Sequence, residues 1–339
     1  MPASILQSSF PDAVLADNPR PSGVRSLTLR LPALYMQLTK ARLSALVVVT
    51  TAVGFIMASA GSIDWLRLLW TVLGTTLAAG GASAFNQLAE VRRDGLMSRT
   101  CTRPLPSGAM SLTHSFVFAM LLAFGGLAGL MVMVNLAAAG LALLTLLIYL
   151  FAYTPLKTRT SLNTLVGAIC GAIPPMIGWV AATGTLDYGA WILALLLFVW
   201  QIPHFLALAW LYRKDYERGG FVMLPVIDPS GRLTGRVVVL MTLVLLPLGV
   251  AAALSGLAGW LYTFGSVALG LWMLRLGLRL HAQRSDSNAR RVFVASLVYL
   301  PALLCLMVID RGPAATGDKV PHLGVLAAVT SDIDDIAGQ

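Results

Sequence analysis

Residues 68–105 read LLWTVLGTTLAAGGASAFNQLAEVRRDGLMSRTCTRPL. The stretch opens as an apolar run of the length a bilayer-crossing helix needs, roughly 20 residues. At its end, from Asn86 onward, it gathers two amides, two carboxylates and four arginines. If the helix continues through Asp94, then Asn86, Glu90 and Asp94 follow one another at i, i+4 and i+8 and their oxygens line one face. Oxygen donors in that pattern suit Mg²⁺, which binds through one or two carboxylates, keeps waters and takes further contacts from substrate phosphates. Arg92, Arg93, Arg99 and Arg103 supply guanidinium forks that match phosphate oxygens. The segment therefore predicts a magnesium–diphosphate clamp at a membrane surface. The bias of Lys and Arg toward cytoplasmic loops accounts for the arginines but not for the acids or their spacing.

Working outward, composition agrees with a membrane setting. The chain is 57% hydrophobic and 12% charged, about half the charge of an ordinary soluble domain. Apolar spans fall near 43–60, 68–88, 114–134, 136–152, 162–182, 188–210, 237–257, 260–280 and 292–310, which predicts an all-α polytopic protein with nine transmembrane helices. Of the 24 Lys and Arg residues, 21 fall in segments 1–42, 89–112, 153–161, 211–236 and 275–291. Only Arg67, Arg311 and Lys319 fall in the alternate loops, which puts the N-terminus in the cytoplasm and the C-terminus outside. The net charge of +9 is thus a topology signal plus an anionic-substrate signal, and no nucleic-acid motif accompanies it.

Residues 1–33 lack the apolar core of a signal peptide and read as a disordered cytoplasmic tail. Residues 34–310 form the transmembrane domain, and 311–339 a polar C-terminal tail. Cys101, Cys170 and Cys305 have no metal-ligand or disulfide-framework spacing. The pairs Gly125/Gly129 and Gly167/Gly171 are small-residue signals for close helix contact.

A second polar cluster repeats the plan of the first. Trp200-Gln201-Ile202-Pro203-His204-Phe205 leads to Arg213-Lys214-Asp215-Tyr216-Glu217-Arg218, four spans after the first cluster. A shift of four spans preserves orientation, so the pattern predicts two four-helix half-repeats plus a ninth helix, with a site between the halves. Tyr153-Thr154-Pro155-Leu156-Lys157 and Arg159 close the fourth span, where Lys157 and Arg159 are placed to reach the same phosphate. Pro174-Pro175 frees backbone carbonyls within the fifth span, which is expected to line the pocket. Polar groups inside spans, such as Asn86, Gln201 and His204, are costly in lipid and so are functional candidates.

From about Tyr35 to Asp310 the chain resembles the UbiA-type intramembrane prenyltransferase superfamily, and within it the protohaem IX farnesyltransferase branch. The element Asn86…Glu90…Asp94, with Met97, Arg99-Thr100 and Arg103-Pro104-Leu105, resembles the superfamily's first acid-rich motif. The Tyr153–Lys157 and Trp200–Phe205 elements are similar to the haem-modifying branch. The second acid-rich motif departs from the quinone-modifying branches, because only Asp215, with Glu217 nearby, stands where those carry several aspartates. The resemblance implies farnesyl diphosphate and haem b as substrates and Mg²⁺ as cofactor. It also implies residence in a bacterial inner membrane, and haem A synthase or terminal oxidase assembly factors as candidate partners. Asn86, Glu90, Asp94 and Asp215 would hold the metal, and Arg99, Arg103 and Lys157 would neutralise the leaving diphosphate. Arg93, Tyr153, Arg159, Gln201, His204, Lys214 and Tyr216 would bind substrate. The aromatic faces of Phe85, Tyr153, Phe205 and Tyr216 are the candidates to stabilise an allylic cation, and His204 is the candidate to contact haem iron.

Two other classes are weighed against this reading. A secondary transporter shares the spans and half-repeats, but its polar groups belong near the membrane centre rather than at one face. A prenyltransferase acting on an aromatic acid or a chlorin fits less well with the single-acid second motif and the Pro203-His204-Phe205 element.

Overall fold

The computed structural model describes residues 24–59 and 61–312. The helices run α1 (Val24–Leu38), α2 (Ala41–Ala58), α3 (Trp65–Asp94), α4 (Leu112–Met133), α5 (Leu136–Leu147), α6 (Thr154–Leu156) and α7 (Asn163–Thr183). They continue with α8 (Tyr188–Leu211), α9 (Arg213–Arg218), α10 (Leu224–Ile227), α11 (Arg232–Leu254), α12 (Trp260–Ala282) and α13 (Asp286–Ile309). Short polar residues start several of them by accepting an otherwise unpaired backbone N–H. Asp64 caps α3, Ser111 caps α4, Asn135 caps α5 and Ser285 caps α13. Large apolar side chains such as Leu121, Val132, Leu254 and Trp260 are exposed on the outer faces, the arrangement expected of a bundle whose solvent is lipid.

Eight helices among the described residues are long and apolar enough to cross a membrane, and they match the second to ninth expected spans. The first expected span, 43–60, corresponds to α2, which carries the apolar helix Ala45–Ala58 among the described residues. The 18 residues of α2 extend about 27 Å. Residues 24–33, expected to be disordered, instead begin helix α1. Their Leu- and Arg-rich sequence lacks glycine from Val24 onward, and Leu and Arg are good helix formers. Residues 1–23 and 313–339 lie outside the described residues, and with them most of both expected tails.

The two halves pack in matching order. α3 contacts α2 and α4, as α8 contacts α7 and α11, in step with a four-helix repeat. α2 crosses α7 so closely that a Cβ on Gly178 would lie 1.9 Å from the Thr51 carbonyl oxygen, and one on Gly54 would lie 2.1 Å from that of Pro175. α3 and α4 meet at Gly126, where a Cβ would come within 2.5 Å of the Ala78 nitrogen. Gly125 and Gly129, expected to mark a close helix contact, face open space. A repeat read without its helical phase is off by one residue. Gly167 and Gly171 do mark contacts, against Tyr153 and Gln201. Pro174 and Pro175 are buried within a continuous α7 at the centre of the bundle.

Candidate active site

The last turns of α3 bring Asn86, Glu90 and Asp94 onto one buried face, at 0%, 6% and 1% exposure. Each meets a cation from a different segment. Lys40 Nζ lies 2.8 Å from Asn86 Oδ1, Lys157 Nζ 2.8 Å from Glu90 Oε1, and Arg103 2.8 Å from Asp94 Oδ2. Thr100 ties the following turn back by donating to the Asp94 carbonyl, which sets Arg103 beneath the carboxylate.

Lys157 reaches this face because the preceding chain is wound more widely. Residues Ile148–Tyr153 form a π-helical turn, a feature that recurs at functional sites. Pro155 has no N–H to continue the ordinary α-helical ladder there, and Thr154 Oγ1 donates to the Tyr149 carbonyl instead. The turn places the Tyr149 and Tyr153 rings 5.3 Å apart and sets Lys157 Nζ 4.4 Å from the Tyr153 ring centre. Asn86 donates to Thr154 Oγ1 at 3.2 Å, while the Tyr149 hydroxyl points to Asn86 Oδ1 at 3.4 Å.

The second polar cluster closes over the first. Ser98 donates to Asp215 at 2.8 Å, and Arg218 also pairs with Asp215. Burial acts to raise the Asp215 carboxyl, but the hydrogen bonds from Ser98 and Arg218 and the Arg218 charge outweigh it and hold the group below the usual aspartate range. The Arg99 guanidinium stacks on Tyr216 at 4.5 Å and on Tyr212 at 5.0 Å. Arg93 donates to the Gly219 carbonyl, and Val222 N donates to the Lys157 carbonyl at 2.7 Å. Met97, Phe221 and Met223 form a small apolar core between the two loops. Beside these contacts lies a cleft of about 270 Å³ lined by Ala89, Glu90, Arg93, Leu150, Thr154, Pro155, Thr158 and Phe221.

The remaining expected site residues divide by position. Arg159, Lys214 and Glu217 are exposed. Gln201 is buried and donates to the Leu197 carbonyl, with its amide against Gly171. His204 Nδ1 lies 2.8 Å from Ser296 Oγ, and the ring is stacked between Trp200 and Phe293. Phe85 packs edge-on against Phe116, and Phe205 lies against His204. Sequence reasoning passed over Lys40, Ser98, Tyr149 and Tyr212. Lys40 reads as one more charge before a span, and Tyr149 enters the site only through a π-helical turn that no periodicity announces.

The donor set suits Mg²⁺ in one particular way. Among the described residues no three Asp, Glu, His or Cys side chains converge to hold a metal by themselves. Two carboxylates and an amide suit an ion that completes its shell with water and substrate phosphate, and the three basic side chains beside them are placed for the phosphate oxygens.

The model of the UbiA prenyltransferase family matches residues 47–300. The chain belongs to the UbiA prenyltransferase family. Among its relatives, the "Protoheme IX farnesyltransferase" of Solibacter usitatus (strain Ellin6076) is 43% identical over 286 residues, covering 82% of this chain and 98% of that one. The "Protoheme IX farnesyltransferase" of Salinibacter ruber is 43% identical over 276 residues, covering 81% and 98%. The UbiA fold is also seen in a solved digeranylgeranylglyceryl phosphate synthase, at a TM-score of 0.68 and 16% identity over 84% of this chain and 98% of that one. A UbiA homolog from Archaeoglobus fulgidus bound to GPP and Mg²⁺ aligns at a TM-score of 0.58 and 14% identity, covering 81% and 99%. As a UbiA family member the chain is a polytopic membrane prenyltransferase, and the ladder on α3 is its candidate catalytic centre.

Proposed function

We propose that this enzyme transfers a farnesyl group from farnesyl diphosphate to a vinyl group of haem b, with addition of water, to give haem O and diphosphate. The observation that carries the reading is the Asn86–Glu90–Asp94 ladder, each member facing a basic side chain, in a chain 43% identical over 82% of its length to a "Protoheme IX farnesyltransferase". Asn86, Glu90 and Asp94 would hold Mg²⁺, with Asp215 contributing from the second cluster; the A. fulgidus homolog bound to GPP and Mg²⁺ supports this choice of ion. When bound, the metal neutralises charge that develops on the leaving diphosphate.

Every other role belongs to the chain's own residues. Arg99, Arg103 and Lys157, with Arg93, bind phosphate oxygens and stabilise the negative charge left as the carbon–oxygen bond breaks. Tyr153 and Tyr216 present aromatic faces to the allylic cation, worth up to about 2 kcal/mol in a desolvated site. The vinyl carbon attacks that cation, water captures the resulting positive centre and a proton is released. The interlocked loops keep bulk water from intercepting the first cation. Gln201 and His204 on α8 serve the haem face. Ser296 fixes His204 Nδ1, so Nε2 is the nitrogen left for iron, in keeping with metal-bound histidines anchored through their other nitrogen. Exposed Arg159 and Lys214 add to the positive field that draws in the anionic substrates. The charge bias of the loops supports a cytoplasmic position for this end of the bundle, in a bacterial inner membrane, with haem A synthase or oxidase assembly factors as recipients of the product.

The test is to incubate membranes containing the protein with haem b, farnesyl diphosphate and Mg²⁺ and to record haem masses. A haem heavier by a hydroxyfarnesyl unit is expected. Unchanged haem b, with an aromatic acid or a chlorin prenylated in its place, would overturn the choice of acceptor.

A further inference from the structure

Between α1 and α2 the chain turns at Lys40, which has φ 51° and ψ 46°. It is the one non-glycine residue with positive φ among the described residues. A side chain in this left-handed region persists only where its surroundings hold it there, and such residues cluster at functional sites. The surroundings here do hold it. Gln87, next to Asn86 on α3, donates its side-chain amide to the Gln37 and Leu38 carbonyls at 2.8 Å each. Tyr35, one turn earlier, bonds His114 of α4 at 2.7 Å. The backbone is pinned from two helices, and the ammonium is delivered to Asn86 Oδ1 at 2.8 Å.

The partners of the three cations differ in charge. Lys157 faces Glu90 and Arg103 faces Asp94, each an ion pair. Lys40 faces a neutral amide. Three basic side chains thus face two carboxylates, and the one that faces no carboxylate is Lys40. Burial, and after it the nearby Lys157 and Arg103, lower the Lys40 amine to about 7; with an amide oxygen as its bonded partner among the described residues, it gains a charge-assisted bond when an anion arrives beside it.

We infer that Lys40 is a diphosphate-binding residue of this site, whose ammonium leaves Asn86 Oδ1 for a phosphate oxygen of the prenyl diphosphate and so frees that amide oxygen for the metal. The inference rests on the function proposed above. In the absence of substrate Lys40 keeps the buried Asn86 oxygen hydrogen-bonded, and with substrate it becomes part of the anion cradle.

The probe is inorganic diphosphate with Mg²⁺, titrated calorimetrically into the purified full-length protein. Lys40→Gly removes the ammonium while leaving a residue that favours the left-handed backbone, so the variant is expected to fold with an unchanged melting temperature. Its diphosphate Kd should rise at least about tenfold, the scale of one charge-assisted hydrogen bond. Lys40→Arg should recover part of the affinity, and the KM for farnesyl diphosphate should rise in Lys40→Gly while haem b affinity stays the same. Wild-type diphosphate affinity in Lys40→Gly, with or without a fall in melting temperature, would overturn the inference and leave Lys40 as a strut of the α1–α2 turn. The titration is independent of the acceptor. If the wild type binds diphosphate but makes no farnesylated haem, the proposed function fails while the Lys40 result still stands.

Discussion

Replacing Lys157 with Met separates a buried ion pair from a surface contact more sharply than any other single change. Lys157 and Glu90 side chains are only 9% and 8% exposed, and they meet at 2.8 Å. Two unit charges about 4 Å apart attract by about 4 kcal/mol at an effective dielectric near 20. Breaking a buried pair by removing one partner typically costs about 3–5 kcal/mol, because the remaining charge is stranded. Lys157→Met is therefore expected to lose stability on that scale, measured by equilibrium unfolding in mixed detergent micelles at neutral pH. The Glu90→Gln/Lys157→Met double variant strands no charge, so it should be more stable than Lys157→Met alone. Both variants should lose turnover. A loss below about 1 kcal/mol for Lys157→Met, or a double variant whose loss equals the sum of the singles, would refute the reasoning, since independent sites add.

Arg103→Ala is expected to weaken farnesyl diphosphate binding by about 1.5–3 kcal/mol while haem b binding holds, and Arg103→Lys should recover only part because the fork is lost; separate titrations of the two ligands check this. Gly171→Ala puts a Cβ 1.9 Å from Gln201 Oε1, so it should cost about 1–3 kcal/mol by overpacking and displace Gln201, read as a fall in haem affinity and in melting temperature together. The pairing of Asp215 with Ser98 and Arg218, which holds its carboxyl low, contributes stability above the unfolded aspartate value of about 3.9, and that contribution is lost as pH falls through the lower folded value. Hydrogen exchange in loop 95–111 should therefore stay slow down to about pH 4 and rise below it, with Ser98→Ala shifting the rise to higher pH. His204→Ala should shift the Soret band of bound haem b if Nε2 takes iron, whereas an unmoved band with a lower melting temperature would assign the residue to packing against Ser296.

Much of this fold is legible because lipid imposes a simple rule. Each long apolar run becomes one helix, and eight of the nine expected spans are helices of the required length. The ladder is legible for a similar reason, since Asn86, Glu90 and Asp94 recur every four residues and a regular helix leaves them no other face. What escapes the sequence depends on departures from regular helix. Tyr149 belongs to the site through a π-helical turn beside Pro155, and Lys40 through a left-handed residue held by Gln87. Phe85 was expected near the cation but faces Phe116, because it lies one residue from Asn86 and therefore about 100° around the helix. Gly126 in place of Gly125 is the same lesson in phase. Composition names the residue type at a helix contact, but only the rotation of the helix says which glycine meets the neighbour.

The central claim, that the α3 ladder holds the metal and diphosphate for haem farnesylation, is tested most directly by single-turnover formation of farnesylated haem in purified Glu90→Gln and Asp94→Asn variants at saturating Mg²⁺. Each change removes one anionic oxygen with little change in size. The wild type should convert haem b, and each variant should lose at least about tenfold, judging from the milder effect of losing groups that only support a metal ligand, while haem b affinity remains at the wild-type value. Wild-type turnover in either variant would remove that residue from the metal site and contradict the account.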